Sequence, residues 1–152
     1  MKIQKWILLA EDNPLDADLA MRALAVNQVR DQVVHAHDGV EALDCLNHRG
    51  DFEKCPSEIP AVVLLDLKMP RVNGLEFLRR IKNDERFKKI PVVVFTSSKE
   101  EIDVAQSYEL GANAYVVKPV DFKEFRDTVK EVRAFWMDVN EPPLISSAAA
   151  RA

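Results

Sequence analysis

Short apolar runs recur five times along this chain of 152 residues, and a segment of mixed polarity follows each run. The runs are continuous or nearly so, without a regular alternation of polar and apolar residues. Such runs are typical of strands buried on both faces of a parallel sheet. The five predicted strands are Trp6–Ala10, Val33–Ala36, Ala61–Leu65, Pro91–Phe95 and Ala114–Val117.

The segments between the runs carry apolar residues three and four positions apart, which is the spacing of one helix face. Strands that alternate with helices five times predict an α/β fold, a doubly wound five-stranded parallel sheet with helices on both faces. A chain of this length has room for one domain, which we expect to span residues 1–140. Pro142 and Pro143 end the last helix, and residues 141–152 are expected to form a flexible tail.

Composition and charge exclude several classes of protein. Hydrophobic residues make up 47% of the chain and charged residues 30%, as expected for a globular domain with a sizeable core. The net charge of −4 argues against a nucleic-acid-binding surface, which requires clustered Lys and Arg. No apolar run approaches the roughly 20 residues that span a bilayer, and no signal cleavage site follows the first strand. We therefore expect a cytoplasmic protein in which Cys45 and Cys55 are free thiols.

Polar and charged residues stand at the ends of four predicted strands. Glu11 and Asp12 follow the first strand, Asp66 the third, Thr96 the fourth and Lys118 the fifth. Because sites in open parallel sheets form at the carboxyl ends of the strands, these side chains are expected to converge. Three carboxylates at close range repel one another, which raises their proton affinity or recruits a divalent cation. Oxygen ligands favour Mg²⁺ or Ca²⁺ over zinc, and Mg²⁺ suits a few carboxylates together with phosphate oxygens and water. A carboxylate can also attack phosphorus while an ammonium and a hydroxyl bind the phosphoryl oxygens, so the pattern indicates phosphoryl transfer to a carboxylate.

Each of these residues also has an ordinary structural explanation. An acidic residue after a strand is most often a helix N-cap or a solvated loop residue, and Asp12 directly precedes a predicted helix start. Thr96 could cap the fourth helix, and Lys118 could lie on the surface. Asp66 is harder to explain in this way because it ends an entirely apolar run. The functional interpretation depends on the strand ends coming together in register.

A series of motifs runs through the chain in a fixed order. They are Leu9-Ala10-Glu11-Asp12-Asn13, Asp38-Gly39-Val40-Glu41-Ala42, Leu65-Asp66-Leu67-Lys68-Met69-Pro70 with Asn73-Gly74, Phe95-Thr96-Ser97, and Gly111-Ala112-Asn113-Ala114-Tyr115 before Lys118-Pro119. In this order and spacing the chain resembles the receiver domain of two-component response regulators, from about Lys5 to Val139. The resemblance implies the flavodoxin-like strand order 2-1-3-4-5.

The resemblance assigns roles to the acidic residues. Asp66 resembles the phosphoacceptor of such domains. Asp12 and Asp66 would bind Mg²⁺ directly, together with the backbone carbonyl of Lys68, and Glu11 would act mostly through water. The implied protein is a signalling phosphoacceptor and not an enzyme, with Mg²⁺-dependent self-phosphorylation and dephosphorylation as its only chemistry and a histidine kinase as its partner.

The same resemblance implies a conformational switch. Thr96 would be the hydroxyl that moves to the phosphoryl group, and Lys118 would be the ion-pair partner of that group. Tyr115 would turn inward when Thr96 moves. The Lys118–Pro119 peptide bond would be cis, an isomer that proline makes accessible.

Two further segments resemble those of one subgroup of receiver domains. The long connection from Gly50 to Pro60 and the ending Ala134-Phe135-Trp136-Met137 are similar to those of single-domain regulators paired with cyanobacterial phytochromes and bacteriophytochrome kinases. We therefore expect a phytochrome-type histidine kinase as the partner. No DNA-binding or catalytic module follows the receiver in this sequence, so its output is expected to pass through protein contacts.

Three other functions share parts of the pattern. A haloacid-dehalogenase-like phosphatase needs a second acid two residues after the aspartate, where this chain has Lys68. A flavin or dinucleotide binder would share the architecture, but the four glycines form no GxGxxG or Walker loop. A receiver that is never phosphorylated and serves only as a docking module stays open as an alternative.

The last two helices carry more apolar residues than one core face requires. In the fourth helix, Ile102 and Ala105 are expected to supply the core stripe, which leaves Val104 and Tyr108 as a separate pair. The expected core stripe of the final helix consists of Phe122, Phe125, Val129, Val132 and Trp136. Phe135, Met137 and Val139 are then expected to point to other sides of that helix.

Exposed apolar residues collected on adjacent elements usually mark a partner surface. We therefore predict a symmetric homodimer through the fourth helix, the fifth strand and the fifth helix, with Val104, Tyr108, Phe135 and Val139 in the interface. In the alternative arrangement, Phe135 and Val139 fold back over the long connection.

Overall fold

Five parallel strands form the centre of the molecule in the computed structural model, which describes residues 5–25 and 33–143. The strands are β1 (Ile7–Ala10), β2 (Val33–Ala36), β3 (Val62–Leu65), β4 (Val92–Thr96) and β5 (Ala114–Val117). Their order in the sheet is β2-β1-β3-β4-β5. This order confirms the predicted doubly wound, flavodoxin-like fold.

Burial on both faces explains why the strands are continuous apolar runs. The three inner strands, β1, β3 and β4, are buried along their whole length, whereas the edge strands are mostly half-buried. An apolar core lies on each face of the sheet, and successive residues of one strand point into opposite cores. Leu8 and Val63 pack on one face of the sheet, and Ile7 and Leu64 pack on the other.

Helices follow every strand and cover the two faces. They are α1 (Pro14–Leu24), α2 (Gly39–Asn47), α3 (Gly74–Lys82), α4 (Glu101–Glu109) and α5 (Phe122–Arg133). Four of them have an N-cap residue whose side chain accepts a hydrogen bond from a backbone N–H of the first turn. These residues are Asn13, Asp38, Asn73 and Asp121. In the described ranges no helix has the length and apolar character that a bilayer crossing requires.

The long connection between α2 and β3 is held at both of its ends. It contains a short 3₁₀-helix, Gly50–Phe52. His48 Nε2 donates to the carbonyl of Pro56 over 2.9 Å, and Trp6 Nε1 donates to the carbonyl of Glu58 over 2.9 Å. These bonds tie the connection to the end of α2 and to the chain before β1.

An ion pair fastens the start of α2 to the segment after β3. Arg71 Nε lies 2.7 Å from Asp38 Oδ2, and the Gly39 N–H donates to the Val72 carbonyl over 3.0 Å. A Cβ atom on Gly39 would lie 2.1 Å from that carbonyl oxygen, so the approach requires glycine. Burial opposes the ionisation of Asp38, but hydrogen bonds from Arg71 and from the Glu41 N–H lower its pKa overall.

The predicted core stripe of α4 is wrong. Ile102 is 64% exposed and Ala105 is also exposed, whereas Ser107 is buried and Val104 is half-buried. The Ser107 hydroxyl donates to the Asp103 carbonyl one turn earlier, and this bond allows a small polar residue to face the sheet. The helix is therefore turned so that Ile102 faces solvent.

The predicted stripe of the last helix is wrong only at its first residue. Phe125 and Val129 are buried, and Val132 and Trp136 are half-buried against the same core, but Phe122 is 64% exposed at the start of α5. The residues after α5 form a π-helical turn, Ala134–Val139, in which the Asn140 N–H donates to the Phe135 carbonyl. The wider turn changes the phase of the side chains.

Met137 occupies the core because of this change of phase. It is 5% exposed, so the prediction that it points away from the core is wrong. Its carbonyl accepts a hydrogen bond of 3.0 Å from Lys5 Nζ. Phe135 and Val139 are exposed, as predicted, and this exposure contradicts the alternative in which they fold back over the long connection.

Replacing Asp38 with alanine is expected to lower the free energy of unfolding by about 1–2 kcal/mol, because it removes an N-cap and the partner of Arg71. The pKa of Asp38 is lowered in the folded state, so its contribution is present above 3.8 and is lost as the pH falls through the folded value. Urea unfolding should therefore show a difference at neutral pH that shrinks in acid.

The matched control is Asp127→Ala, which removes an exposed carboxylate 3.6 Å from Arg126. Such pairs contribute about 0–1 kcal/mol. Equal losses in the two variants would contradict the role given to Asp38.

Candidate functional site

The carboxyl ends of four neighbouring strands bring the predicted site residues to one edge of the sheet. In the paired register, Ala10 of β1 lies beside Leu65 of β3, and Thr96 of β4 lies beside Val117 of β5. The residues that follow these positions therefore share one end of the molecule. Glu11, Asp66, Thr96 and Lys118 are all buried there, and Asp12 is exposed beside them.

Lys118 is the centre of this cluster. Its Nζ atom lies 2.6 Å from Glu11 Oε1, 2.9 Å from Asp16 Oδ2 and 3.1 Å from Asp66 Oδ2. The Lys118 side chain is almost completely buried, as are Glu11 and Asp66, so water screens these two contacts only weakly. One ammonium group therefore holds carboxylates from β1, α1 and β3 around a single point.

Asp16 belongs to the cluster, although its place in the sequence does not single it out as a site residue. It lies in the first turn of α1, where an acidic residue also interacts favourably with the helix dipole. Because the helix dipole already explains an acidic residue at this position, the sequence does not indicate that Asp16 also contacts Lys118. The available signal was its position close after the acidic pair at the end of β1.

One lysine faces three carboxylates in this cluster, and burial and charge together shift the pKa values of the groups. Burial raises the pKa of Glu11 to about 8, and the nearby Asp66 carboxylate adds to this rise against the hydrogen bond from Lys118. Burial alone would lower the pKa of Lys118. Its hydrogen bonds to Glu11 and Asp16 and the charge of Asp66 raise that pKa overall, so the lysine stays charged.

Three carboxylates could hold a metal ion. One oxygen each from Glu11, Asp12 and Asp66 lies within 4.8 Å of the others. An all-oxygen, anionic donor set fits Mg²⁺ or another hard divalent cation, and the exposed Asp12 leaves the site open to solvent. Lys68 is exposed two residues after Asp66, and the use of its backbone carbonyl as a ligand stays a prediction.

Backbone contacts fix the position of Asp66. Its N–H donates to the Ala10 carbonyl over 3.0 Å, and its Oδ1 accepts from the Leu67 N–H over 2.8 Å. Gly74, the first residue of α3, closes the loop because its N–H donates to the Leu67 carbonyl over 2.8 Å. A Cβ atom on Gly74 would lie 2.3 Å from the Asp66 carbonyl oxygen, so only glycine fits there.

The predicted switch residues lie next to the cluster. Thr96 is buried at the end of β4, and its carbonyl accepts a hydrogen bond of 2.7 Å from the Lys118 N–H. Tyr115 is half-buried, and its hydroxyl donates to the Ser98 carbonyl over 2.9 Å. Tyr115 is therefore tied to the loop that directly follows Thr96.

The predicted cis peptide bond before Pro119 is wrong. The described residues contain no cis peptide bond, so Lys118 and Pro119 are joined in trans. Trans is the more stable isomer, and Lys118 reaches its three carboxylates with it.

The four residues predicted to form a dimer interface differ in exposure. Val104 is half-buried, whereas Tyr108, Phe135 and Val139 are exposed. The Phe135 ring packs edge-on against Trp136, with 5.0 Å between their centroids. The interface itself stays a prediction.

Comparison with protein families finds a match to the model of the response regulator receiver domain over residues 7–130. A curated relative, the response regulator Rcp1 of Synechocystis sp., is 37% identical over 134 residues, which cover 88% of this chain and 90% of that protein. The structure of a Mn²⁺-bound form of Rcp1 has a TM-score of 0.84 at 36% identity and covers 92% of this chain and 99% of that one.

Two further solved structures are similar over nearly the whole chain. The phosphorylated cyanobacterial phytochrome response regulator RcpA has a TM-score of 0.85 at 37% identity, covering 92% of this chain and 99% of that one. The bacteriophytochrome response regulator AtBRR is 50% identical, with a TM-score of 0.69 and coverage of 90% and 98%.

Replacing Gly74 with alanine is expected to lower the free energy of unfolding by about 2–4 kcal/mol, because the new methyl group would collide with the Asp66 backbone. Gly50→Ala is the control. Nothing lies within 4 Å of a Cβ atom there, and only the positive φ of 56° opposes the substitution, at a cost of about 1 kcal/mol. Equal losses in thermal or urea unfolding would show that the Asp66 loop tolerates a side chain at Gly74.

Proposed function

Because this chain belongs to the response regulator receiver domain family, we propose that it accepts a phosphoryl group on Asp66 from a histidine kinase in two-component signal transduction. The observation that carries the proposal is the contact of Lys118 with both Asp66 and Glu11 in one buried cluster. That cluster combines a nucleophile, a cation for the phosphoryl oxygens and a set of metal ligands.

Asp66 is the proposed nucleophile because its two oxygens have different surroundings. Oδ1 accepts the Leu67 N–H, which orients the carboxylate, while Oδ2 faces Lys118. In the proposed step a carboxylate oxygen of Asp66 attacks phosphorus of a phosphohistidine. The P–N bond breaks, the imidazole nitrogen keeps the electron pair, and Asp66 becomes an acyl phosphate.

The proposed metal ligands are Asp12 and Asp66 with the carbonyl of Lys68, and Glu11 acts mostly through water. The ion is Mg²⁺, which would offset repulsion between the carboxylates and the phosphoryl oxygens. The exposed position of Asp12 and the close spacing of the three carboxylates support this assignment.

The proposed switch couples Thr96 to Tyr115. When Asp66 is phosphorylated, the Thr96 hydroxyl moves to the phosphoryl group and Lys118 pairs with its oxygens. Because Tyr115 is bonded to the Ser98 carbonyl, a movement of the loop after Thr96 would break that bond and release the ring. Tyr115 then turns inward and changes the surface near α4.

The proposed partner is a phytochrome-type histidine kinase in the cytoplasm. RcpA is a phytochrome response regulator and AtBRR a bacteriophytochrome response regulator, and both resemble this chain over at least 90% of its length. The proposed receiver covers residues 1–140, consistent with the match over 7–130 and with the last helical turn ending at Val139. The proposed tail, 141–152, lies outside the described residues from 144 onward.

The alternative, a docking module that is never phosphorylated, has less support. Such a module would not need a buried Lys118 against three carboxylates, an arrangement that costs desolvation. The receiver itself is a phosphoacceptor rather than a conventional enzyme.

We also propose a homodimer through α4, β5 and the end of α5. Val104 is half-buried and Tyr108 is exposed on α4, and Phe135 and Val139 are exposed after α5. These elements flank β5, which carries Tyr115. A dimer on this surface would therefore respond to the switch.

Asp66→Asn is expected to abolish labelling by acetyl phosphate with Mg²⁺, because the amide is not a nucleophile towards phosphorus. Intact-mass spectrometry should show the gain of one HPO₃ group on the native chain and none on this variant. Asp127→Asn, a change of an exposed aspartate on α5, is the control and should label normally. Undiminished labelling of Asp66→Asn would contradict the assignment of Asp66 as the phosphoacceptor.

Asp12→Asn is expected to weaken binding of Mg²⁺ about tenfold or more, because it removes an anionic ligand. Titration calorimetry with Mg²⁺ alone measures this directly, and Asp127→Asn again serves as the control. A binding curve that Asp12→Asn leaves unchanged would place the cation elsewhere.

Phe135→Asp is expected to weaken the proposed dimer about tenfold or more, since a charge would replace an exposed aromatic ring in the interface. Sedimentation of the native chain and this variant, each with and without beryllofluoride, measures the change. Leu15→Asp, at an exposed apolar position on α1, is the control. A native chain that stays monomeric at about 50 µM in both conditions would rule the dimer out.

A further inference from the structure

Two cysteines meet where the connection between α2 and β3 packs against α2. Cys45 lies on α2, and Cys55 lies just after the 3₁₀-helix Gly50–Phe52. Both are free thiols, and their Sγ atoms are 2.6 Å apart, with the Cys45 thiol donating to the Cys55 sulfur. The separation exceeds the length of a disulfide bond by only about 0.5 Å.

The backbone on both sides of Cys55 keeps the two sulfurs together. The Cys55 N–H donates to the Phe52 carbonyl over 3.1 Å, and the next residue, Pro56, accepts from the His48 ring. Trp6 holds the following turn through the Glu58 carbonyl. Phe52 and Cys55 also pack against the apolar core that contains Cys45. These hydrogen bonds and packing contacts hold the segment around Cys55 in place, and they thereby keep the Cys55 sulfur beside the Cys45 sulfur.

We propose that Cys45 and Cys55 are a redox modification site, at which hydrogen peroxide converts the two thiols into one intramolecular disulfide. In the first step the Cys55 thiolate attacks peroxide, the O–O bond breaks, and a sulfenic acid and hydroxide form. In the second step the Cys45 sulfur attacks the Cys55 sulfur, the S–O bond breaks and water leaves with the Cys45 proton. In total the two thiols lose two electrons and two protons, and one peroxide becomes two waters.

The two cysteines have different roles because their exposure differs. Cys45 is 1% exposed, so peroxide cannot reach it directly, whereas Cys55 is partly exposed. Burial raises the pKa of both thiols, but the hydrogen bond from Cys45 opposes the rise at Cys55. Cys55 is therefore the sulfur that reacts first, and Cys45 is the thiol that resolves it.

The pair lies away from the carboxylate cluster. Cys45 is in the second half of α2, and Cys55 precedes β3, whereas Asp66 follows the opposite end of that strand. The disulfide would bind the connection to α2 without using any residue of the cluster. In a reducing compartment the pair stays a dithiol, and the disulfide forms under oxidative conditions.

The test uses the full native chain, reduced and then treated with hydrogen peroxide. After quenching, the chain is denatured, alkylated with a maleimide and weighed. The expected product has lost two hydrogen atoms, takes up no maleimide and regains two reactive thiols after dithiothreitol. The oxidised chain should also unfold at a temperature higher by about 5 °C, because the cross-link restricts the unfolded state.

Cys55→Ser is the matched control. Its remaining thiol, Cys45, should survive peroxide and react with the maleimide after denaturation, because burial protects it in the folded chain. Two reactive thiols in the treated native chain would overturn the proposal. A sulfinic acid on Cys55 beside a free Cys45, or a disulfide between two chains, would overturn it as well.

Discussion

The interaction on which the site depends is the contact of one ammonium group with three carboxylates. Lys118 reaches Glu11, Asp16 and Asp66 within 2.6–3.1 Å in a buried position. Without that charge, carboxylates delivered by β1, α1 and β3 would repel one another across a region that excludes water. The lysine therefore allows the acidic strand ends to meet, and the sheet order supplies the positions from which they do so.

The three carboxylates around one ammonium explain why the same cluster could also bind a divalent cation. Burial keeps the pKa of Glu11 at about 8 despite its contact with Lys118, and the nearby Asp66 carboxylate adds to this rise. A divalent cation on the open side, where Asp12 is exposed, would supply the missing positive charge. The loop after Asp66 holds this proposed nucleophile in place because Gly74 permits a close approach of α3 to its backbone. Asp66 is therefore the carboxylate that both contacts Lys118 and is fixed by its own backbone.

The strand order and the convergence of the strand ends could be predicted because both follow from where apolar runs stop. Asp66 ends such a run, and its neighbours in the sheet end theirs at the same edge. The orientation of α4 could not be predicted, because Ser107 faces the sheet through a hydrogen bond that periodicity does not reveal. Met137 becomes buried through a π-helical turn, which shifts the helical phase. Contacts across the fold, such as those of Asp16 and Cys55, depend on positions that spacing along the chain does not contain.

We propose that the cluster around Lys118 receives a phosphoryl group on Asp66. The most direct measurement is a crystal structure of the chain with Mg²⁺ and beryllofluoride, which mimics that group. We expect beryllium bonded to an Asp66 carboxylate oxygen, with fluorine atoms in hydrogen-bond contact with Lys118 Nζ and the Thr96 hydroxyl. Beryllofluoride bonded to Glu11, Asp12 or Asp16, or bonded to Asp66 without contact to Lys118, would contradict it.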